Sequence, residues 1–121
     1  MLHLALIVED EAALRDIYKL ILLNCGFQVL EAGDGEEALA LLQTHRPDII
    51  FLDMLLPKLN GVAILHEVHT MPHLRHTRIV IISAHNRFTK SEYLKPDDIF
   101  LLKPVRPDDI RHIVNQFLAT I

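Results

Sequence analysis

Asp48-Ile49-Ile50-Phe51-Leu52-Asp53 is a short apolar run closed by a carboxylate at each end. Unbroken apolarity over so few residues suits a strand covered on both faces, because a half-solvated strand alternates and a buried helix runs longer. The pattern recurs outward from this stretch. Leu4 to Val8 runs into Glu9-Asp10-Glu11, Ile79-Val80-Ile81-Ile82 into Ser83, and Ile99-Phe100-Leu101-Leu102 into Lys103. A more mixed run, Phe27-Gln28-Val29-Leu30-Glu31, fits a fifth strand at or near a sheet edge.

Between these runs the apolar spacing turns helical. Leu14, Ile17, Tyr18, Ile21 and Leu22 line one face of a helix closed by Gly26. Asp34 with Glu37 three residues later reads as a helix start with Asp as cap. Ala38, Leu41 and Leu42 form that helix's stripe, which ends before Pro47. A third helix begins near Gly61, carries Ile64, Leu65 and Val68, and is stopped by Pro72. The last opens at Pro107 with Asp108 and Asp109 at the positive end of its dipole, and repeats Ile110, Ile113, Val114, Phe117 and Leu118. From Asn86 to Asp98 no clear stripe forms and Pro96 cuts the segment, so a fourth helix there is expected to be short or irregular. Strands alternating with helices predict an α/β parallel sheet wound on both faces.

The chain has 121 residues, 50% of them hydrophobic and 23% charged, which fits one globular domain over residues 1–121 and excludes disorder as its main state. Twelve Lys and Arg against 16 Asp and Glu give a formal charge of −4, with no basic run, so direct nucleic-acid binding is not expected. The single cysteine, Cys25, has no partner for a disulfide and reads as a core thiol in a reducing compartment. No apolar stretch approaches the ~20 residues that span a bilayer, and no charged signal start is present, so a soluble cytoplasmic chain without membrane contact is expected.

In a parallel sheet, ligands sit beyond the carboxyl ends of the strands. The residues at those ends are Glu9, Asp10 and Glu11, then Asp53, Ser83 and Lys103. Clustered carboxylates raise one another's pKa unless a cation neutralises them, and a hard, oxygen-rich site with few protein ligands is what Mg2+ prefers. One ionised carboxylate can then attack phosphorus while an ammonium and a hydroxyl stabilise the transferred oxygens. Ordinary capping by Asp10 and Asp53 is the plain alternative. It does not explain why all these groups fall at strand ends.

The sequence resembles the receiver domain of two-component response regulators over essentially its whole length. The carriers are Val8-Glu9-Asp10-Glu11, Asp53-Met54-Leu55-Leu56-Pro57 with Asn60-Gly61, Ser83-Ala84, and Lys103-Pro104. The resemblance implies a flavodoxin-like fold with strand order 2-1-3-4-5. It implies Asp53 as phospho-acceptor and Mg2+ held by Glu9, Asp10, Asp53 and the backbone carbonyl of Leu55. Ser83 would bond the phosphoryl group, Lys103 would pair with it, and the Lys103–Pro104 peptide would be cis. It further implies a sensor histidine kinase or histidine phosphotransfer protein as donor, slow self-dephosphorylation, and a downstream protein effector, with a homodimer allowed. Ser83 and Phe100 would form the switch. Phe100 stands where the family has Tyr or Phe, so packing without a phenolic hydrogen bond must carry that switch. Lys95-Pro96 replaces the family's Gly-Ala ahead of the fifth strand, beside a helix that belongs to its output and dimerisation face.

Other readings are weaker. His66, His69, His73 and His76 are spaced for one helix face, but Pro72 interrupts it and no HExxH pattern occurs, so a His-rich polar surface is expected. Gly33 and Gly35 flank a turn without a P-loop signature. A pseudo-receiver working through protein contacts alone competes with phosphotransfer, and the complete set of pocket residues argues against it. A phosphatase with an aspartyl-phosphate intermediate would need a second Asp where Leu55 stands.

Overall fold

The computed structural model describes residues 3–56, 61–85 and 94–120. The strands are β1 Leu4–Val8, β2 Gln28–Ala32, β3 Ile49–Asp53, β4 Arg78–Ser83 and β5 Ile99–Leu102. Four α-helices lie among the described residues: α1 Ala12–Asn24, α2 Gly35–Thr44, α3 Gly61–Thr70 and α4 Pro107–Ala119. The sheet is parallel throughout, in the order β2-β1-β3-β4-β5. Most of the expected irregular helix falls on residues 86–93, outside the described residues, while 94–98 form a turn leading into β5.

Alternation along the buried strands divides the core into two layers. Leu6, Val8, Ile50, Leu52 and Ile81 pack against Ala38 and Leu42 of α2 and Ile64, Leu65 and Val68 of α3. Ile7, Ile49, Phe51, Val80 and Ile82 pack against Tyr18, Ile21 and Leu22 of α1 and Ile110, Ile113 and Val114 of α4. Both faces of the sheet are thereby covered, as the unbroken apolar runs required. No helix among the described residues is long and apolar enough to cross a membrane.

The helix ends follow the expected chemistry. Asp34 caps α2 by accepting from the Glu37 amide at 2.9 Å. Gly26, at φ +89°, takes the left-handed turn that ends α1, with its amide on the Leu23 carbonyl and the Phe27 amide on Leu22. A side chain there would be strained.

Three expectations need correction. Ile17 is 46% exposed and does not join the buried stripe of Tyr18, Ile21 and Leu22. At 100° per residue it sits about 90° from the middle of that stripe, so helical spacing alone assigned it to the wrong side of the edge. Phe27 belongs to the turn before β2, where it is buried in the core. Cys25 is only half-buried, at the rim of the layer under α1 and α4.

Candidate functional site

Asp53 ends the central strand, with β1 on one side and β4 on the other. It is buried, and both its oxygens are held: Oδ1 accepts from the Leu55 amide at 3.0 Å and Oδ2 from Lys103 Nζ at 3.1 Å. Just beyond it the Met54 amide bonds the Ile82 carbonyl, and the Gly61 amide returns to the Met54 carbonyl at 3.0 Å. Gly61 is needed there. A Cβ would run into Met54 Cα and come within 2.7 Å of its sulfur, so this close approach to the residue after Asp53 admits no side chain.

Glu9 follows β1 and is almost fully buried. Its Oε2 accepts from the Glu11 amide at 3.2 Å, while Oε1 has no hydrogen-bond partner and lies 3.7 Å from Lys103 Nζ. Burial above all pushes the Glu9 carboxyl up, to about 7 from 4.5; the charge of Asp53 and a hydrogen bond with Asp10 add to this, against the Glu11 amide and Lys103. For Lys103, burial pulls the ammonium down, but the hydrogen bond and charge of Asp53, with the charge of Glu9, outweigh it and hold the group above its usual value.

Asp10 is exposed, yet one oxygen from each of Glu9, Asp10 and Asp53 falls within 4.8 Å of the others. Three carboxylates this close, with a buried oxygen left without a donor, suit a hard divalent cation. The cluster can therefore hold a metal. Glu11 turns out exposed and outside this group, its amide serving Glu9. Leu55 offers its amide to Asp53 and leaves its side chain exposed.

Ser83 is fully buried at the end of β4, where its Oγ accepts from the His85 amide at 3.1 Å. The Lys103 amide bonds the Ser83 carbonyl at 2.8 Å, tying the two strand ends together, and the Lys103–Pro104 peptide is cis. Phe100 lies opposite Ile81 and half-buried against the layer under α2 and α3. The structure thus brings Glu9, Asp10, Asp53 and Lys103 together, leaves Glu11 outside, and joins Ser83 to Lys103 through the backbone. Missed in the sequence was Arg15, whose Nη1 donates to the Glu9 carbonyl at 2.7 Å. Missed too was Tyr18: its phenol is buried and pushed up by burial and by the charge of Glu9.

Of the four spaced histidines, only His69 is not exposed. His66, His73 and His76 are exposed. His69 Nε2, by contrast, bonds Asp98 Oδ2 at 3.1 Å with both side chains largely buried. Among the described residues, no His takes part in a cluster able to hold a metal.

A family model, "Response regulator receiver domain", matches residues 5–115. The chain is 31% identical, over 96% of its length, to a probable transcriptional regulator ycf27 of Porphyridium aerugineum, and covers 48% of that protein. It is 30% identical to the chemotaxis protein CheY of Bacillus subtilis, covering 98% of this chain and 99% of that one. The chain therefore spans about half the length of some curated relatives and nearly all of another. A solved receiver domain from Methylobacillus flagellatus superposes with a TM-score of 0.86 at 28% identity, over 97% of this chain and 99% of that one.

Proposed function

The chain belongs to the response regulator receiver domain family of two-component signalling, and from that premise we propose that Asp53 is its phospho-acceptor. The donor is the phosphohistidine of a sensor kinase or a histidine phosphotransfer protein, and residues 1–121 act as one receiver unit. One observation carries this reading: at the end of the central strand Asp53 is held by the Leu55 amide and Lys103 while facing Glu9 and Asp10.

A carboxylate oxygen of Asp53 attacks phosphorus as the P–N bond to the donor imidazole breaks and its electron pair returns to the ring nitrogen. Lys103 already lies on the acceptor oxygen, so a small shift brings its ammonium onto the incoming phosphoryl oxygens. Ser83, which follows the Ile82 paired with Asp53, would offer its hydroxyl proton to another. Glu9, Asp10 and Asp53, with the Leu55 carbonyl, would hold Mg2+. When bound, that ion supplies positive charge beside the transferred group. Movement of Ser83 toward the phosphoryl group frees room that half-buried Phe100 fills, and this repacking reaches a downstream protein partner.

The test is incubation with Mg2+ and acetyl phosphate, followed by intact mass. A single phosphoryl adduct is expected on the parent and none on Asp53→Asn, since an amide is a poor nucleophile. An equal adduct on the Asn variant removes Asp53 from the role. No adduct on the parent, under conditions where Mg2+ is bound, favours a pseudo-receiver.

A further inference from the structure

We propose that Arg15 is a positioning residue that sets the metal-binding turn after β1. The inference rests on the reading of Glu9, Asp10 and Asp53 as a divalent-cation site.

The Glu9 amide extends the β1–β2 ladder by one bond, to the Ala32 carbonyl at 3.0 Å. Its carbonyl accepts from Arg15 Nη1, from the first turn of α1, at 2.7 Å. The Glu9 carbonyl and the Asp10 amide share one rigid peptide plane. Fixing that carbonyl fixes the direction in which Asp10 leaves the turn, although the Asp10 side chain itself is exposed. Without Arg15, nothing else in the hydrogen bonds of the described residues holds this oxygen.

The guanidinium is held in turn. Its Nε lies 3.5 Å from Glu31 Oε1, and Glu31 Oε2 accepts from Lys19 Nζ at 3.0 Å. Glu31 belongs to β2, opposite Ile7, so the chain of contacts runs from a rigid strand through Arg15 to the turn. An arginine can serve both neighbours at once because its donors diverge in a fixed fork. A lysine offers one ammonium and cannot span both. Supporting contacts of this sort commonly change metal affinity by roughly 10–100-fold when removed.

The experiment measures Mg2+ affinity by calorimetry, and amide hydrogen exchange at Glu9 and Asp10 without metal, on parent, Arg15→Ala, Arg15→Lys, Glu31→Gln and Arg111→Ala. Arg15→Ala should weaken Mg2+ binding by about tenfold and speed exchange at both amides. Arg15→Lys and Glu31→Gln should do the same more weakly, and Arg111→Ala, which alters only an exposed pair on α4, should match the parent. Unchanged affinity in Arg15→Ala overturns the inference even if its melting temperature falls. Should that variant not fold, parent affinity in both Arg15→Lys and Glu31→Gln overturns it equally. A parent that takes up no Mg2+ overturns the metal reading itself, whereas binding in the parent with no change on substitution overturns only the role of Arg15.

Discussion

Two buried carboxylates lie at opposite ends of the sheet, and they are treated differently. At the amino end of β5, Asp98 Oδ2 accepts from the Lys95 amide at 2.8 Å and from His69 at 3.1 Å. At the carboxyl end of β1, Glu9 Oε1 is the one buried side-chain oxygen without a hydrogen-bond partner among the described residues. The first arrangement ties α3 to the segment entering β5. The second keeps an acid poorly satisfied beside two others, which is costly for folding and useful for capturing a cation. Completeness of the donor set separates a fastening from a site.

Their responses to acid are opposite in sign. Burial lifts the Glu9 carboxyl to about 7, so the folded chain binds more protons than the unfolded one between pH 4.5 and about 7, and this contribution is lost as pH rises through that window. Burial lowers His69 below 6.5, against the pull of Asp98, so the unfolded chain binds more protons there. Its contribution is lost as pH falls below about 6.5.

The largest effect should come from removing the cation at the incomplete end. Lys103→Met leaves Asp53 and Glu9 facing each other with no ammonium between them. Breaking a wholly buried pair costs about 3–5 kcal/mol, and since the Lys103 side chain is 27% exposed a loss below that range, about 2–3 kcal/mol, is expected in metal-free urea unfolding at pH 8. A loss under about half a kcal/mol would mean that the carboxylates are already relieved by solvent. Glu9→Gln acts the other way. It should raise metal-free stability at pH 8 by up to about 3 kcal/mol and give no advantage below pH 4.5. A gain that persists at low pH would trace to packing and not to charge.

Much of this site was legible because topology did the sorting. Once the runs ending at Val8, Asp53, Ile82 and Leu102 are read as parallel buried strands, Glu9, Asp10, Asp53, Ser83 and Lys103 must share one end of the sheet. Side chains that act through backbone atoms leave no such pattern. Arg15 meets the Glu9 carbonyl, a group every residue carries, so its identity announces nothing. His69 and Asp98 are 29 residues apart on elements whose contact only the fold creates. Ile17 failed for a different reason: spacing gives the face of a helix but not how far the covering layer reaches around it.

The smallest effect concerns the satisfied end. His69→Gln keeps a donor near Asp98 and removes the titrating ring. In the parent, the neutral imidazole donates Nε2–H to Asp98, and protonation in acid must overcome the burial that lowers its pKa. The substitution should therefore leave stability at pH 8 within about 1 kcal/mol, the net worth of one hydrogen bond. It should flatten the decline below pH 6.5, where the unfolded parent gains a proton at His69 that the folded chain resists. Combining it with Glu9→Gln sharpens the contrast, since the two groups lie at opposite ends of the sheet and their effects should add. Urea midpoints across pH for the parent, both single variants and the double variant decide it. If His69→Gln makes the acid decline steeper, the imidazole is held charged by Asp98, and the satisfied end is an ion pair and not a neutral fastening.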